Sequence, residues 1–590
     1  SDGMTTNEWI QHLYYKAKEL NPHLLVEDMS ACNNDHIQPT DLNTFHMYPK
    51  GYQSSKDTVA DRERNTYPGS TNNFWGGFQQ ESEPWLNSEY GGVAAFDGDY
   101  DVSWCFKYQT DIQRQYEKLN GFVYTEPYDI EYERNGVLTY ARRDKIFGYE
   151  DVAYGGDMTI LDLNQPNYVG VDINPAIKAA PGSQYTAPVV AMNWSGETLE
   201  NPVLKWRFDA TDIYGNYITT GKSGEVALDY APYTREQHDI SFSLPNQKCV
   251  GTFTVWIENN GEKIAKNFVN VIVTNGKDTA PVSILTEDSA VLRQSNADSN
   301  TIKDGVGAIT YSYTLPEGIG ADVLNSMRVI VEASSLKDAS VNHGIDNSAF
   351  SQTTVGSERP SDMTISINGH EVGTVYLPDN PRDIRGTLTL TPGEGNGSSA
   401  GNYGYLVNLD IPDSVLEVLK AELAENSTFT VSYSVKEDVE NANGLRIYNE
   451  SNGRYAVNPM VILNPADTTG ETVTPESDNY TVESEGSFYA RYNVEANTGY
   501  KVDVAENEVT LSKVDGTVLA TADTDASCVK ATFFDDHITV YANNNPVPVI
   551  DVYDYSDFSG IAQAIGGTLT VAPESYDVLS SGDMQADVQF

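Results

Sequence analysis

The chain has 590 residues, too many for one core, and at roughly 100–200 residues per domain it should hold about three to five domains. Hydrophobic residues make up 39% of it, enough to fill real cores, and no run of about 18 apolar residues is present to cross a membrane. Asp and Glu number 85 against 37 Lys and Arg, a formal charge of −48. That balance speaks against nucleic acid and anionic membrane partners, which need clustered cations, and favours an uncharged ligand such as a neutral sugar.

The polar opening Ser1-Asp2-Gly3 is not that of a signal peptide and reads as a processed or truncated start. Residues 1–160 then alternate helical and strand patterns. Ile10, Leu13, Tyr14, Ala17 and Leu20 share one helical face, and Asn21-Pro22 stops the helix. His23 to Val26 reads as a short buried strand, Leu42 to Tyr48 as a second and Pro84 to Glu89 as a third. Cys105, Tyr108, Ile112, Tyr116 and Leu119 trace another helix, and Gly121 to Tyr124 a fourth strand. Strands alternating with helices predict a parallel sheet, with chemistry carried by the loops at the strand ends.

After about residue 160 helical periods nearly vanish and short alternating strands take over. Residues 165–275 read as an Ig-like sandwich, with strands at Val203–Phe208, Phe253–Ile257 and Phe268–Val273, and 274–278 as a linker. Residues 280–466 form a second β-rich unit. It has a strand from Thr364 running into a turn at Asn368-Gly369, and one helix near Asp413–Leu423 with Asp413 as its cap. A Thr/Pro/Glu/Ser linker near 467–478 leads to a last β unit, 479–590, with strands at Tyr500–Val504 and His537–Tyr541. Cys32, Cys105, Cys249 and Cys528 lie far apart with no C-x-x-C pair, which predicts buried thiols rather than a zinc site or a disulfide framework.

The main chemical signal is Asn87-Ser88-Glu89-Tyr90-Gly91-Gly92. A carboxylate ends an apolar strand, and the glycines after it let the backbone turn sharply. Phe45-His46-Met47-Tyr48 closes a neighbouring strand with an imidazole and a phenol, and a phenol beside a carboxylate keeps it oriented and charged. Tyr124 closes the strand after the helix, where an aromatic ring could floor a sugar site. Asp35-His36 follows the first strand and could reach a hydroxyl. Each has a plain structural alternative: a strand-end Glu in a turn, and histidines satisfied in the core.

These segments together resemble glycoside hydrolase family 2, whose members are mostly β-galactosidases, β-glucuronidases and β-mannosidases. The matching pieces, in family order, are Ala17–Pro22, Leu25–Asp28, Thr40–Tyr48, Asn87–Gly92, Gly121–Asp129, Asn135-Gly136 and Arg143–Lys145. The resemblance implies that residues 1–160 are the C-terminal half of a (β/α)8 TIM barrel, a galactose-binding-like jelly roll at 280–466 and a concanavalin-like or lectin-like sandwich at 479–590. It implies Glu89 as nucleophile, Tyr48 as its hydrogen-bonding neighbour, and His46 and Tyr124 lining the terminal sugar subsite beside Asn87, although many members have Trp where this chain has Tyr124.

The family also needs an Asn-Glu acid/base at the end of the fourth barrel strand. Asn7-Glu8 has the letters, but no apolar strand precedes it, and Thr5-x-x-Glu8 reads as a capping box. The acid/base is therefore expected upstream of Ser1, in an N-terminal portion that this chain pairs with.

The expected activity is that of a retaining exo-β-glycosidase, foremost a β-galactosidase, acting on oligo- or polysaccharide and secreted or held at a bacterial cell surface. Residues 1–150 lack the Asn-x-Lys pair with which the family's glucuronidases meet a substrate carboxylate. No cofactor is required by this scheme, though the acidic loops offer oxygen ligands suited to Ca²⁺ or Mg²⁺. The rival reading is a non-catalytic carbohydrate-binding or adhesin-like chain.

Overall fold

Helix α1 (Thr6–Leu20) begins at the capping box seen in the sequence: the Thr5 amide donates to Glu8 Oε2 at 2.8 Å and the Glu8 amide to Thr5 Oγ1 at 3.3 Å. Glu8 is thereby accounted for as a cap. The structure is a computed structural model. It describes residues 3–573 except 30–35, 50, 92–101, 132, 134, 146, 151, 174–175, 215–216, 274–284, 295–299, 303–304, 337–359, 378–403, 451–452, 454, 456, 466–471, 485, 494–495, 497, 506–507, 515–516, 544, 546, 558 and 565–568. None of the residues of α1 is buried, and Trp9, Leu13, Tyr15 and Leu20 are exposed, as are Leu24 and Leu25 beyond it.

Three parallel strands follow, β1 (Asn43–Met47), β2 (Trp85–Tyr90) and β3 (Leu119–Tyr124), in the order β1-β2-β3. Helices α2 (Tyr52–Asn65) and α3 (Val102–Gln113) pack against them, joining Phe45, Met47, Tyr52, Val59, Trp85, Cys105, Tyr108 and Ile112 in one core. Two expectations fail here. His23 to Val26 joins no ladder, because the described sheet ends at β1 and Leu24 and Leu25 face outward; the sheet has three strands, not four, and closes no barrel among the described residues. The helix through Cys105 stops at Gln113, where the chain tightens into successive turns at Ile112–Gln115 and Gln113–Tyr116, and Leu119 opens β3 instead.

Short helix α4 (Leu161–Asn164) leads into a two-sheet sandwich. Its strands are β4 (Asn167–Val171), β5 (Ala176–Ala179), β6 (Gln184–Asn193), β7 (Pro202–Asp212), β8 (Tyr217–Ala227), β9 (Thr234–Ser243), β10 (Cys249–Asn259) and β11 (Glu262–Val273). The sheets run β5-β11-β10-β7-β8 and β4-β6-β9, closing over Val189, Leu204, Phe208, Phe253, Ile257 and Val271. Alternation of apolar and polar residues along β7 and β9 sets which face turns inward. The linker expected at 274–278 lies outside the described residues.

Residues 285–465 build two further sheets around Val329, Ile365, Leu419 and Tyr433. Asn368 and Gly369 both take positive φ, the two-residue turn the sequence announced between Ser361–Ile367 and His370–Leu377. Helix α5 (Asp413–Glu425) has Pro412 at its N-cap position, with no side-chain cap hydrogen bond; Asp413 is its first residue, not the cap. The last unit, 472–573, is again two sheets; Thr472-Val473, expected to be linker, instead pairs with Ile561–Ala564. Among the described residues no helix is long and apolar enough to cross a membrane.

The sandwich touches every other unit. Buried Lys107 and Asp111 of α3 pair at 2.8 Å, and Asp111 accepts from Tyr168 at 2.6 Å and from Asn267 at 2.7 Å. Arg293 and Asn408 of the third unit each donate to Tyr214 at 2.8 Å. Arg207 donates to Ser559 at 3.0 Å, beside fully buried Arg491, which donates to the carbonyls of Asp478 and Asp535.

Two predictions follow from these contacts. Replacing Asp111 by Ala leaves Lys107 buried without its counter-charge and should cost roughly 3–5 kcal/mol in urea unfolding. At the far joint, burial and the charge of Asp209 push the Asp478 carboxyl up to about 7, against the offsetting pull of Arg207 and Arg491. A carboxyl raised in the fold binds more protons there than in the unfolded chain, so stability should fall as pH rises from about 4 toward 7. The Asp478→Asn variant should lose that slope between about pH 4 and pH 7 in thermal unfolding; an unchanged slope would mean that Asp478 does not set it.

Candidate active site

The C-terminal ends of β1, β2 and β3 bring the sequence-predicted groups to one edge. In the β1–β2 ladder His46 stands opposite Glu89 and Met47 opposite Tyr90, after an irregularity between Phe45 and His46 that leaves Ser88 without a partner across the ladder. That extra residue turns the Glu89 side chain toward β1. The Tyr48 phenol donates to Glu89 Oε1 and lies 3.2 Å from His46 Nδ1, and the same ring nitrogen is 3.7 Å from Glu89 Oε2. Glu89 is 28% exposed and Tyr48 37%, so the carboxylate is held yet reachable from solvent. His46 is buried.

Asn87 supports this arrangement from below. It is fully buried, its Oδ1 accepts the Glu89 amide at 3.2 Å, and its Nδ2 donates to Gln113 Oε1 at 2.7 Å. Gln113 in turn donates to the Gln109 carbonyl at 3.1 Å, which ties the strand end to α3. Asn87 thus positions the backbone of Glu89.

Tyr124 belongs to the same edge, opposite Tyr90 in the β2–β3 ladder. Its hydroxyl donates to the Asn135 carbonyl at 2.6 Å, and its ring packs edge-on against Phe106 at 4.8 Å and Tyr90 at 5.4 Å. Gly91, with φ +104°, lies directly against this ring, and a Cβ there would collide with it. Tyr124 is therefore partly a packing residue that shapes the turn after Glu89.

His36 is placed differently. It is 1% exposed, its Nδ1 is 2.7 Å from Asp28 Oδ1, and its Nε2 accepts the Thr44 amide at 2.9 Å. Burial opposes its protonation, but the hydrogen bond and charge of Asp28 outweigh it and hold the ring above its ordinary value. Both nitrogens are engaged in fastening the loop to β1, so the ring has none left to reach a sugar hydroxyl. Asp35 lies outside the described residues.

Two carboxyls that sequence reading passed over share this edge. Glu126 follows Tyr124, and Glu133 sits in the loop that folds back on it, closed by hydrogen bonds from the Val137 amide to the Glu126 carbonyl at 3.0 Å and from the Ile130 amide to the Glu133 carbonyl at 2.8 Å. Burial, then the charges of Glu133, Asp129 and Glu89, push Glu126 up to about 7, with Lys145 opposing. Burial and Glu89 also raise Glu133, with His46 opposing. Lys145 is itself paired with buried Asp129 at 2.7 Å. Among the described residues no group of three or more His, Cys, Asp or Glu is placed to hold a metal ion.

No family model and no curated protein matches the chain. Among solved structures it is similar to β-glucuronidase 2 of Bacteroides uniformis, at 11% identity and a TM-score of 0.22 over 75% of this chain and 50% of that one. It is also similar to a β-glucuronidase from glycoside hydrolase family 2, at 8% identity and a TM-score of 0.22 over 96% of this chain and 56% of that one. A third is the C-terminal domain of the Streptococcus pyogenes antigen I/II-family protein AspA, at 9% identity and a TM-score of 0.14 over 65% of this chain and 98% of that one. The chain spans about half the length of the β-glucuronidases it matches.

The Gly91 turn supplies a test. Gly91→Ala adds a Cβ both at positive φ and against the Tyr124 ring, and should cost roughly 1–3 kcal/mol in urea unfolding. A variant as stable as the parent would remove Gly91 from the account of how Glu89 is placed.

Proposed function

We propose that this chain carries the nucleophile half of a retaining exo-β-glycosidase site, with β-galactosides as the leading substrates. The observation that carries the reading is the Glu89 carboxylate, held by the Tyr48 phenol at the exposed end of a parallel strand with His46 opposite it. A nucleophile for an anomeric carbon must be rigid, ionised and accessible, and this one is anchored on both sides, through Tyr48 and through Asn87. The ordered resemblance of residues 1–160 to family 2 adds to it, and in that reading the three strands are the end of an incomplete TIM barrel.

In the proposed reaction Glu89 attacks the anomeric carbon of a terminal sugar, and the aglycone leaves as it takes a proton from a second carboxyl. A glycosyl ester on Glu89 results, and water attacks it as the second carboxyl takes back a proton. The second carboxyl is proposed to come from residues preceding Ser1. The exposed apolar face of Trp9, Leu13, Leu24 and Leu25 is a surface on which such a portion would pack. Tyr48 orients the nucleophile through its hydrogen bond, and His46 and Tyr124 bound the sugar.

A second reading is carbohydrate binding without turnover, favoured by the last unit, where Tyr553 and Tyr555 are exposed and Tyr553 stacks on His537 at 4.4 Å between ring centres. Incubating the full-length protein with 2-deoxy-2-fluoro glycosides separates the two. The glycosidase reading expects a covalent adduct on the peptide holding Glu89. Polysaccharide binding with no adduct and no turnover of a nitrophenyl glycoside panel would leave the binding reading. Glu89→Gln should lower turnover by at least roughly 10⁴-fold with the fold intact. Tyr48→Phe, which removes one donor, should lower it by about 10²-fold. Retained turnover in Glu89→Gln would sink the assignment.

A further inference from the structure

We infer that a cavity between α2, the end of α3 and strand β9 of the sandwich binds a small carboxylate, with Arg235 and Gln115 as its polar contacts. The inference stands apart from the reading of Glu89 as nucleophile and uses none of that site's residues.

Strand alternation puts Arg235 at this place. Ile240 and Phe242 of β9 turn into the sandwich core, so Glu236 and His238 share that face, and those two pair with each other at 3.1 Å. Arg235 lies on the opposite, outward face. Its cross-strand partner Met192 and the neighbouring Val190 of that face share a core with Phe106 of α3. Helix α3 therefore packs on the outward face that carries Arg235. Beyond Gln113 the chain tightens into turns, which bring Gln115 and Tyr116 to the same place.

The cavity holds about 150 Å³ and is lined by Lys56, Ile112, Gln115, Tyr116, Asp172 and Arg235. One side of it is fully bonded. Lys56 Nζ lies 2.5 Å from Asp172 Oδ1, and the Tyr116 hydroxyl donates to the Lys56 carbonyl at 3.1 Å. The other side is not: both amide atoms of Gln115 and Nε of Arg235 are buried, with no hydrogen-bond partner among the described residues. A polar group taken out of water without a partner is costly. Three such atoms on two lining residues call for an occupant that both donates and accepts.

The charges of the wall select the class of ligand. Lys56 and Asp172 offset each other, which leaves the Arg235 cation, and among the described residues it forms no ion pair. A planar carboxylate matches a guanidinium, and a charge-assisted bond of this kind is among the stronger ones. Inorganic phosphate fits less well, because it brings up to two charges to one surplus cation and sets them beside the Asp172 carboxylate. Ile112 and the Tyr116 ring offer an apolar wall that suits carbon. A hydroxyl next to the carboxylate would meet the Gln115 amide, which can donate and accept. A cavity of this volume takes a molecule of about the size of benzene, so the ligand has roughly six to eight non-hydrogen atoms.

The test titrates the full-length protein with sodium L-lactate, which carries a carboxylate, a hydroxyl and a methyl. Glycerol, of the same size, is the neutral control, and sodium chloride and inorganic phosphate are the ionic ones. Calorimetry should show saturable one-site binding of lactate. Thermal unfolding should show a midpoint that rises with lactate concentration, beyond the effect of chloride at equal ionic strength. Arg235→Gln should weaken lactate binding by at least about tenfold. Gln115→Leu should weaken it by about tenfold and serves if the first variant does not fold. Lactate that binds no better than glycerol, phosphate that binds more tightly than lactate, or an affinity unchanged in both variants would each overturn the inference. None of these results touches the glycosidase reading, which stands or falls on the adduct at Glu89.

Discussion

Helix α3 is pinned on two sides, and the candidate site depends on it. Its buried Lys107–Asp111 pair is satisfied from the sandwich by Tyr168 and Asn267. Two residues further on, Gln113 holds Asn87, and Asn87 holds the amide of Glu89. Two sets of hydrogen bonds, joined through helix α3, thus link a β-sandwich asparagine to the backbone amide of Glu89. A buried ion pair contributes little net stability against an apolar alternative, but once built it tolerates no missing member. That intolerance fixes the axial position of the helix, and with it the height at which Glu89 emerges from the sheet.

Much of the edge was legible because strand ends are written locally. Glycines after Glu89, an imidazole and a phenol closing the strand at His46 and Tyr48, and an apolar run before each are patterns of adjacent residues, and the ladder brings those residues together. The bulge at Ser88 was not legible, since one extra residue in a strand leaves no mark in composition. Helix α2 was passed over because only Tyr52, Ser55 and Val59 of its fourteen residues are buried, too narrow a stripe to stand out among charges. The segment His23–Val26 misled in the opposite direction: four residues look like a strand, yet a strand needs a neighbour to bond to.

Glu126 and Glu133 escaped for a different reason. Nothing in Thr125-Glu126-Pro127 or in Glu131-Tyr132-Glu133 distinguishes these carboxyls from the others among the 85 the chain carries. Their placement comes through space, from Asn135 folding the loop back over the edge, and neither pattern nor spacing encodes that. His36 shows the converse: in sequence, a histidine in the loop after a strand could reach a hydroxyl, and its burial against Asp28 makes it a fastener. In both cases environment rather than residue type decides the role.

The joint between Arg207 and Ser559 binds residues 352 positions apart in the chain. With Tyr214 held by Arg293 and Asn408, the sandwich becomes a hub from which the other three units radiate. Covalent order and mechanical order therefore differ. A pull on the last unit would load the sandwich through the Arg207–Ser559 contact as well as through the third unit. A chain held at its far end would then transmit strain to the base of α3, close beneath Glu89.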